Sequence, residues 1–110
     1  MKTVYLISGN QGKIMAAKNV FNKYHVELKN IEQKFSEIQA DTSLEIAKHA
    51  ALEATKATNL PVIREDHSLF INSLGFPGPY MTFIEKRLSL QKLLKLLTLS
   101  EDRTGYFEIS

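Results

Sequence analysis

Cysteine and tryptophan are both missing from these 110 residues, and glycine and proline are sparse, at five and three. Without cysteine there is no disulfide framework, no thiolate nucleophile and no cysteine-bound zinc. Acid and base groups nearly cancel: 14 Lys and Arg stand against 12 Asp and Glu, a formal net charge of +2. That balance gives no electrostatic case for a nucleic-acid partner. No apolar run approaches the roughly 20 residues that span a bilayer, and the N-terminus lacks the pattern of a secretory signal. A cytoplasmic location with no membrane partner is the expectation. The hydrophobic content, 44%, suffices for the core of one small domain covering residues 1–110.

What is present alternates between strand-like and helix-like runs. Thr3 to Ile7 reads as a strand, and Ile14, Ala17, Phe21 and Tyr24 recur at helical spacing over Lys13 to Tyr24. The alternating run Val26 to Ile31 reads as a strand with one wet face. Thr42 and Glu45 have the spacing of a capping box, opening an Ala-rich helix to about Ala57. Asn59-Leu60-Pro61 ends that helix, and Pro61 to Arg64 reads as a short buried strand. A short helix is expected after Pro79. Leu90, Leu93, Leu94 and Leu97 make an i, i+3, i+4, i+7 stripe that reads as core, and Gly105 to Ile109 reads as a final strand. This order predicts an α/β layered fold, with a central mixed sheet flanked by helices and the four strands in one sheet.

Two segments carry chemistry. In Arg64-Glu65-Asp66-His67 two adjacent carboxylates stand at the end of an apolar run, just ahead of the turn Gly75-Phe76-Pro77-Gly78-Pro79-Tyr80. Paired carboxylates suit Mg²⁺, which takes one or two carboxylates and fills its octahedron with water and substrate phosphates. The other segment, Ser8-Gly9-Asn10-Gln11-Gly12-Lys13, follows a strand and opens a helix. Small residues there let backbone N–H groups converge on an anion. It is neither a Walker A loop nor a dinucleotide fingerprint. By itself, each segment reads equally well as an ordinary turn bearing solvated polar groups.

Taken together with Ser36-Glu37-Ile38-Gln39-Ala40-Asp41-Thr42, and in this order, these segments resemble the inosine triphosphate pyrophosphatase family, over the N-terminal portion of its usual length. The resemblance implies a shortened form of that family's fold. It also implies Mg²⁺-assisted hydrolysis of inosine and xanthosine triphosphates, and their deoxy forms, to monophosphate and pyrophosphate. Carried over residue by residue, Ser8, Gly9, Asn10, Gln11, Gly12 and Lys13 would cradle the triphosphate, and His67 would touch substrate. Glu37, Asp66 and Glu65 would serve the metal, with Asp66 also the catalytic base and Lys13 a catalytic cation. One metal–triphosphate ligand would have to meet Lys13, Glu37 and Asp66 together, so these three are expected to converge on one cleft.

Departures from the family pattern bear on activity. Ala16 stands where an acid is usual, and Ala50 where a lysine is usual. Lys48 is two residues away, about 200° around a helix. The loop after Ile71 is one residue shorter than the common form. The aromatic-Asp-Pro run and the Ser-His-Arg triplet that cup the base in the family do not occur. A nucleotide-binding or protein-binding derivative without catalysis is therefore the alternative reading. The terminal strand, with nothing after it to cover its edge, and the apolar residues Met81, Phe83 and Ile84 suggest a symmetric homodimer.

Overall fold

The computed structural model describes residues 1–110, which divide into two compact units. Unit 1 comprises residues 1–38 and 47–64, and unit 2 comprises residues 39–46 and 65–110.

In unit 1, β1 (Lys2–Ile7) is the central strand of a three-stranded parallel sheet, flanked by β2 (Val26–Ile31) and β3 (Val62–Ile63). The β1–β2 register runs from Lys2↔Val26 to Ile7↔Ile31, and β3 pairs Val62 and Ile63 with Tyr5 and Leu6. Parallel strands need a crossover, and α1 (Gln11–Lys23) provides it between β1 and β2. Helix α1 starts two residues ahead of the sequence expectation because Asn10 caps it: the Lys13 N–H donates to Asn10 Oδ1 at 3.2 Å. His25, at φ +56°, then turns the chain into β2. Leu6, Ile14 and Leu28 form the buried centre, with Val4, Ala17, Phe21 and Ile63 packed around it.

The long helix α2 (Ser43–Thr58) begins on Thr42, whose Oγ1 accepts the Glu45 N–H at 3.2 Å. Ile46, Ala47, Ala50 and Ala54 are its buried face, a spacing that follows the helical period.

In unit 2, β4 (His67–Ile71) is the centre of a three-stranded antiparallel sheet between β5 (Phe76–Gly78) and β6 (Gly105–Ile109). The terminal strand thus corrects the expectation of one sheet. It pairs with β4, from His67↔Ile109 to Ile71↔Gly105, and not with the parallel sheet. The apolar pattern marks a strand but does not name its partner, and β4 offers antiparallel edges on both sides. Gly105 is required there, because a Cβ would lie 2.7 Å from the Phe70 carbonyl oxygen. Gly78 adopts φ +55° with the Phe70 ring close against it, and Phe70 stacks on Tyr106 at 5.0 Å.

Two short helices, α3 (Met81–Arg87) and α4 (Leu90–Leu97), join β5 to β6. The leucine stripe expected as core is only half realised. Leu93 and Leu97 are half-buried, whereas Leu90 and Leu94 are exposed and α4 has no buried residue. Helical spacing identifies an apolar face without specifying what covers it. Ahead of β6, the Thr104 hydroxyl and N–H both donate to Asp102, which holds that carboxyl below its ordinary pKa.

Candidate functional site

The residues Ser8 to Lys13, expected to cradle phosphate, sit where β1 gives way to α1. Ser8 Oγ accepts the Asn10 N–H at 3.0 Å, and Asn10 Oδ1 accepts the Lys13 N–H. The Asn10 carbonyl accepts from Ile14 at 3.1 Å. These bonds fix the bend and satisfy the Asn10, Lys13 and Ile14 amides. The amides of Gln11 and Gly12 belong to the first turn, where an α-helix has no carbonyl of its own to receive them. Gly9 is exposed, and nothing lies within 4 Å of where its Cβ would be. This junction therefore presents two first-turn N–H groups at the positive end of a helix, with Lys13 in the same turn.

Glu37 lies beyond β2, in a stretch without regular backbone structure. Its Oε1 accepts from Arg64 Nη2 at 3.0 Å, and Arg64 Nη1 donates to the Ile7 carbonyl at 3.3 Å. Ile7 ends β1, and Arg64 follows the last residue of β3. The strand order β2-β1-β3 places a topological switch point between β1 and β3. Open parallel sheets bind ligands at the carboxyl ends of the strands beside such a point. The loop Ser8–Lys13 and the Arg64–Glu37 pair both stand at these carboxyl ends in unit 1.

The second cluster belongs to unit 2. Asp66 is held by its backbone: its N–H donates to the Ser110 carbonyl and its carbonyl accepts the Ser110 N–H, both at 2.9 Å. Glu65 Oε1 meets His67 Nδ1 at 3.0 Å, and the His67 ring lies edge-on to Phe107 at 6.3 Å. One oxygen each of Glu65 and Asp66, Oε2 and Oδ2, is shielded from solvent. Behind them, the buried hydroxyls of Ser43 and Ser68 hydrogen-bond each other, and Glu108 accepts the Ser43 N–H at 3.2 Å. Glu108 faces Ser68 across the β4–β6 ladder, so the start of α2 and both strands are tied together just beyond His67. At the far end of β5, the Tyr80 hydroxyl donates to Asp41 at 3.2 Å. Shielding from water, then that bond and the Asp41 charge, push the phenol pKa up.

Lys13 and Glu37 thus belong to unit 1, and Glu65, Asp66 and His67 to unit 2. The donor chemistry of Glu37, Glu65 and Asp66 is uniformly hard carboxylate oxygen. No group of three or more His, Cys, Asp or Glu side chains is arranged as a ready metal cage. Such a set fits Mg²⁺, which takes few protein ligands and reserves positions for water and phosphate. Ala50 is buried and Lys48 exposed, so Lys48 does not stand in for a side chain at position 50. Sequence reasoning missed Arg64, Ser43, Ser68 and Glu108. Only Arg64 had a visible signal, a cation at the end of the apolar run Val62-Ile63.

The Ham1 family profile matches residues 4–109. This chain belongs to the Ham1 family. Among relatives, a dITP/XTP pyrophosphatase of Methanosarcina acetivorans is 36% identical over 109 residues, which are 98% of this chain and 59% of the relative. One of Ignicoccus hospitalis is 38% identical over 108 residues, 96% of this chain and 57% of the relative. Among solved structures, a Ham1 protein of Staphylococcus aureus superposes with a TM-score of 0.74 at 29% identity, covering 98% of this chain and 60% of that one. The HAM1 protein of Coxiella burnetii superposes at 0.85 with 23% identity, covering 99% and 61%, a likeness of fold. The Ham1 assignment bears out the resemblance carried by the motifs, and the chain spans about three fifths of the length of these relatives.

Proposed function

We propose that this chain carries the phosphate- and metal-binding elements of a Mg²⁺-dependent nucleoside triphosphate pyrophosphatase. Its substrates are inosine and xanthosine triphosphates and their deoxy forms, and its products are the monophosphate and pyrophosphate. The observation that carries this reading is in unit 1: a capped, amide-presenting loop ending in Lys13 and a carboxylate, Glu37, both at the carboxyl ends of the parallel strands. In support, relatives over 30% identical are named dITP/XTP pyrophosphatases.

In this reading the Gln11 and Gly12 amides and Lys13 bind phosphate oxygens and neutralise charge that builds on the leaving pyrophosphate. Glu37, Asp66 and Glu65 are the carboxylates that would hold the divalent ion, which when bound would polarise the phosphoryl oxygens. Asp66 accepts the proton of the attacking water as the bond between the α and β phosphates breaks. His67, oriented by Glu65, contacts the substrate. A cytoplasmic location goes with this reading because its substrates are free nucleotides; separately, no helix is long and apolar enough to cross a membrane.

The deciding experiment measures pyrophosphate release from inosine, xanthosine, adenosine and guanosine triphosphates with and without Mg²⁺. Metal-dependent release of pyrophosphate from the first two, well above the others, is the expected result. Release of orthophosphate, or equal rates on all four, would refute it.

The pairing partner is a second copy. Tyr106, Phe107 and Ile109 on the edge strand β6 are 51%, 64% and 69% exposed, and Phe83 on α3 is 49% exposed. Apolar surface on an edge strand favours association. Sedimentation equilibrium at micromolar concentration is expected to give twice the 12.5 kDa chain mass, and a clean monomer would exclude the dimer.

A further inference from the structure

Arg64 has a charge that the pyrophosphatase reading leaves unused, and the environment of that charge is specific. Its side chain is only 12% exposed, and a buried cation is costly unless paired. Arginine does not lose its proton in proteins, so the guanidinium is a permanent positive charge. It is divided between two acceptors: the Ile7 carbonyl, immediately before the phosphate loop, and the Glu37 carboxylate, proposed as a metal ligand. The Glu37 side chain is 52% exposed, so a cation arriving from solvent can reach it.

We propose that Arg64 is a specificity-determining residue that makes Glu37 receptive to a divalent cation carried by a triphosphate rather than to the bare cation. The proposal rests on the pyrophosphatase reading. Glu37 with Arg64 is locally neutral, so a bare divalent ion gains little from the carboxylate and is repelled by the guanidinium a few ångströms away. A metal–triphosphate complex is net negative, and its phosphates bring the counter-charge that Arg64 needs when the metal draws on Glu37. The guanidinium is already anchored at Ile7, at the switch point where the loop Ser8–Lys13 begins. Its planar array of donors suits phosphate oxygens.

A purely structural Arg64 would pin Glu37 in place, and its loss would weaken both kinds of binding. A selective Arg64 predicts opposite signs. Mn²⁺ binding is measured by electron paramagnetic resonance, with Mn²⁺ alone and with Mn²⁺ plus an uncleavable α,β-imido inosine triphosphate. Arg64→Met is expected to bind bare Mn²⁺ about five- to tenfold more tightly, and the Mn²⁺–nucleotide complex about five- to tenfold more weakly. Arg64→Lys, which keeps the charge but loses the planar fork of donors, is expected to stay within about threefold of wild type for bare Mn²⁺ and to bind the Mn²⁺–nucleotide complex more weakly than wild type, though less so than Arg64→Met. If Arg64→Met does not retain the wild-type circular dichroism spectrum, Arg64→Gln replaces it with the same two signs expected.

Bare-metal affinity that falls or does not change in the neutral variant overturns the role given to Arg64. The pyrophosphatase reading survives that result if wild type still binds the Mn²⁺–nucleotide complex and cleaves inosine triphosphate. Failure of wild type to bind the complex overturns both.

Discussion

Asp66→Asn is expected to lower Mg²⁺-dependent pyrophosphate release from inosine triphosphate by about 10²- to 10⁴-fold, the range for loss of a positioned general base. The substitution preserves the shape of the side chain. The backbone of Asp66 is clamped to Ser110 by two 2.9 Å hydrogen bonds, so the replacement amide starts from the same place. It loses the negative charge and the basicity that the proposed function assigns to metal binding and to accepting a proton from water. The thermal midpoint should move little, and a turnover loss with an intact fold separates chemistry from stability. Glu65→Gln is the internal comparison. Glu65 is turned to His67 through Oε1, so its loss disturbs orientation and is expected to cost at least tenfold less than Asp66→Asn. Nucleotide binding measured calorimetrically with Mg²⁺ should rank the variants in the same order. If Asp66→Asn kept more than a tenth of wild-type turnover, or Glu65→Gln were the more damaging, Asp66 would lose its assigned role.

Local chemistry explains why some of this architecture is legible in the sequence. The Thr42–Glu45 spacing predicts the start of α2, and the Thr42 hydroxyl accepts the Glu45 amide as a cap should. The alternation in Val26–Ile31 is a β2 with Leu28 buried and Glu27 and Lys29 exposed. The Ser8–Lys13 segment is a strand-to-helix junction because Ser8 and Asn10 both have side-chain acceptors within reach of amides two and three residues on. Each of these signals is contained within a few residues.

The features that were not legible depend on partners far along the chain. Gly105–Ile109 is a strand in any reading, but its pairing with β4 goes with Asp66 and Ser110 meeting from 44 positions apart. The Ser43–Ser68 hydroxyl pair and the Glu108 bond to the Ser43 amide join residues 25 and 65 positions apart. No spacing rule relates them. Arg64 is intermediate: a cation after Val62-Ile63 is conspicuous, but only the fold brings Ile7, 57 positions away, to its guanidinium. In the candidate site, residue types were readable from motifs, whereas the ion pair between Arg64 and Glu37 was not.

Leu6→Ala is expected to have the largest effect on stability, about 2–5 kcal/mol. Leu6 is 4% exposed on the central strand of the parallel sheet and sits in the buried cluster with Ile14 and Leu28. Removing its branched end leaves a void between that strand and α1. Its neighbours Val4, Ala17, Phe21 and Ile63 can refill the void only by moving elements fixed by a parallel register. Alanine also fits a strand less well than larger apolar residues, which adds to the loss. For a domain of about this size each kcal/mol lowers the midpoint by roughly 4–8 °C, so a fall of at least about 8 °C should be visible by circular dichroism. Met15→Ala, at a helix position 67% exposed, is the control and should stay within about 0.5 kcal/mol of wild type. Leu6→Val keeps a good strand former and removes less volume, so both losses shrink and most of the stability should return. A Leu6→Ala midpoint indistinguishable from that of Met15→Ala would mean that β1 is not packed as described. Because the next two residues on the chain are Ile7, whose carbonyl receives Arg64, and Ser8, whose hydroxyl accepts the Asn10 amide in the proposed phosphate-binding loop, loss of this packing should also weaken nucleotide binding before the chain unfolds.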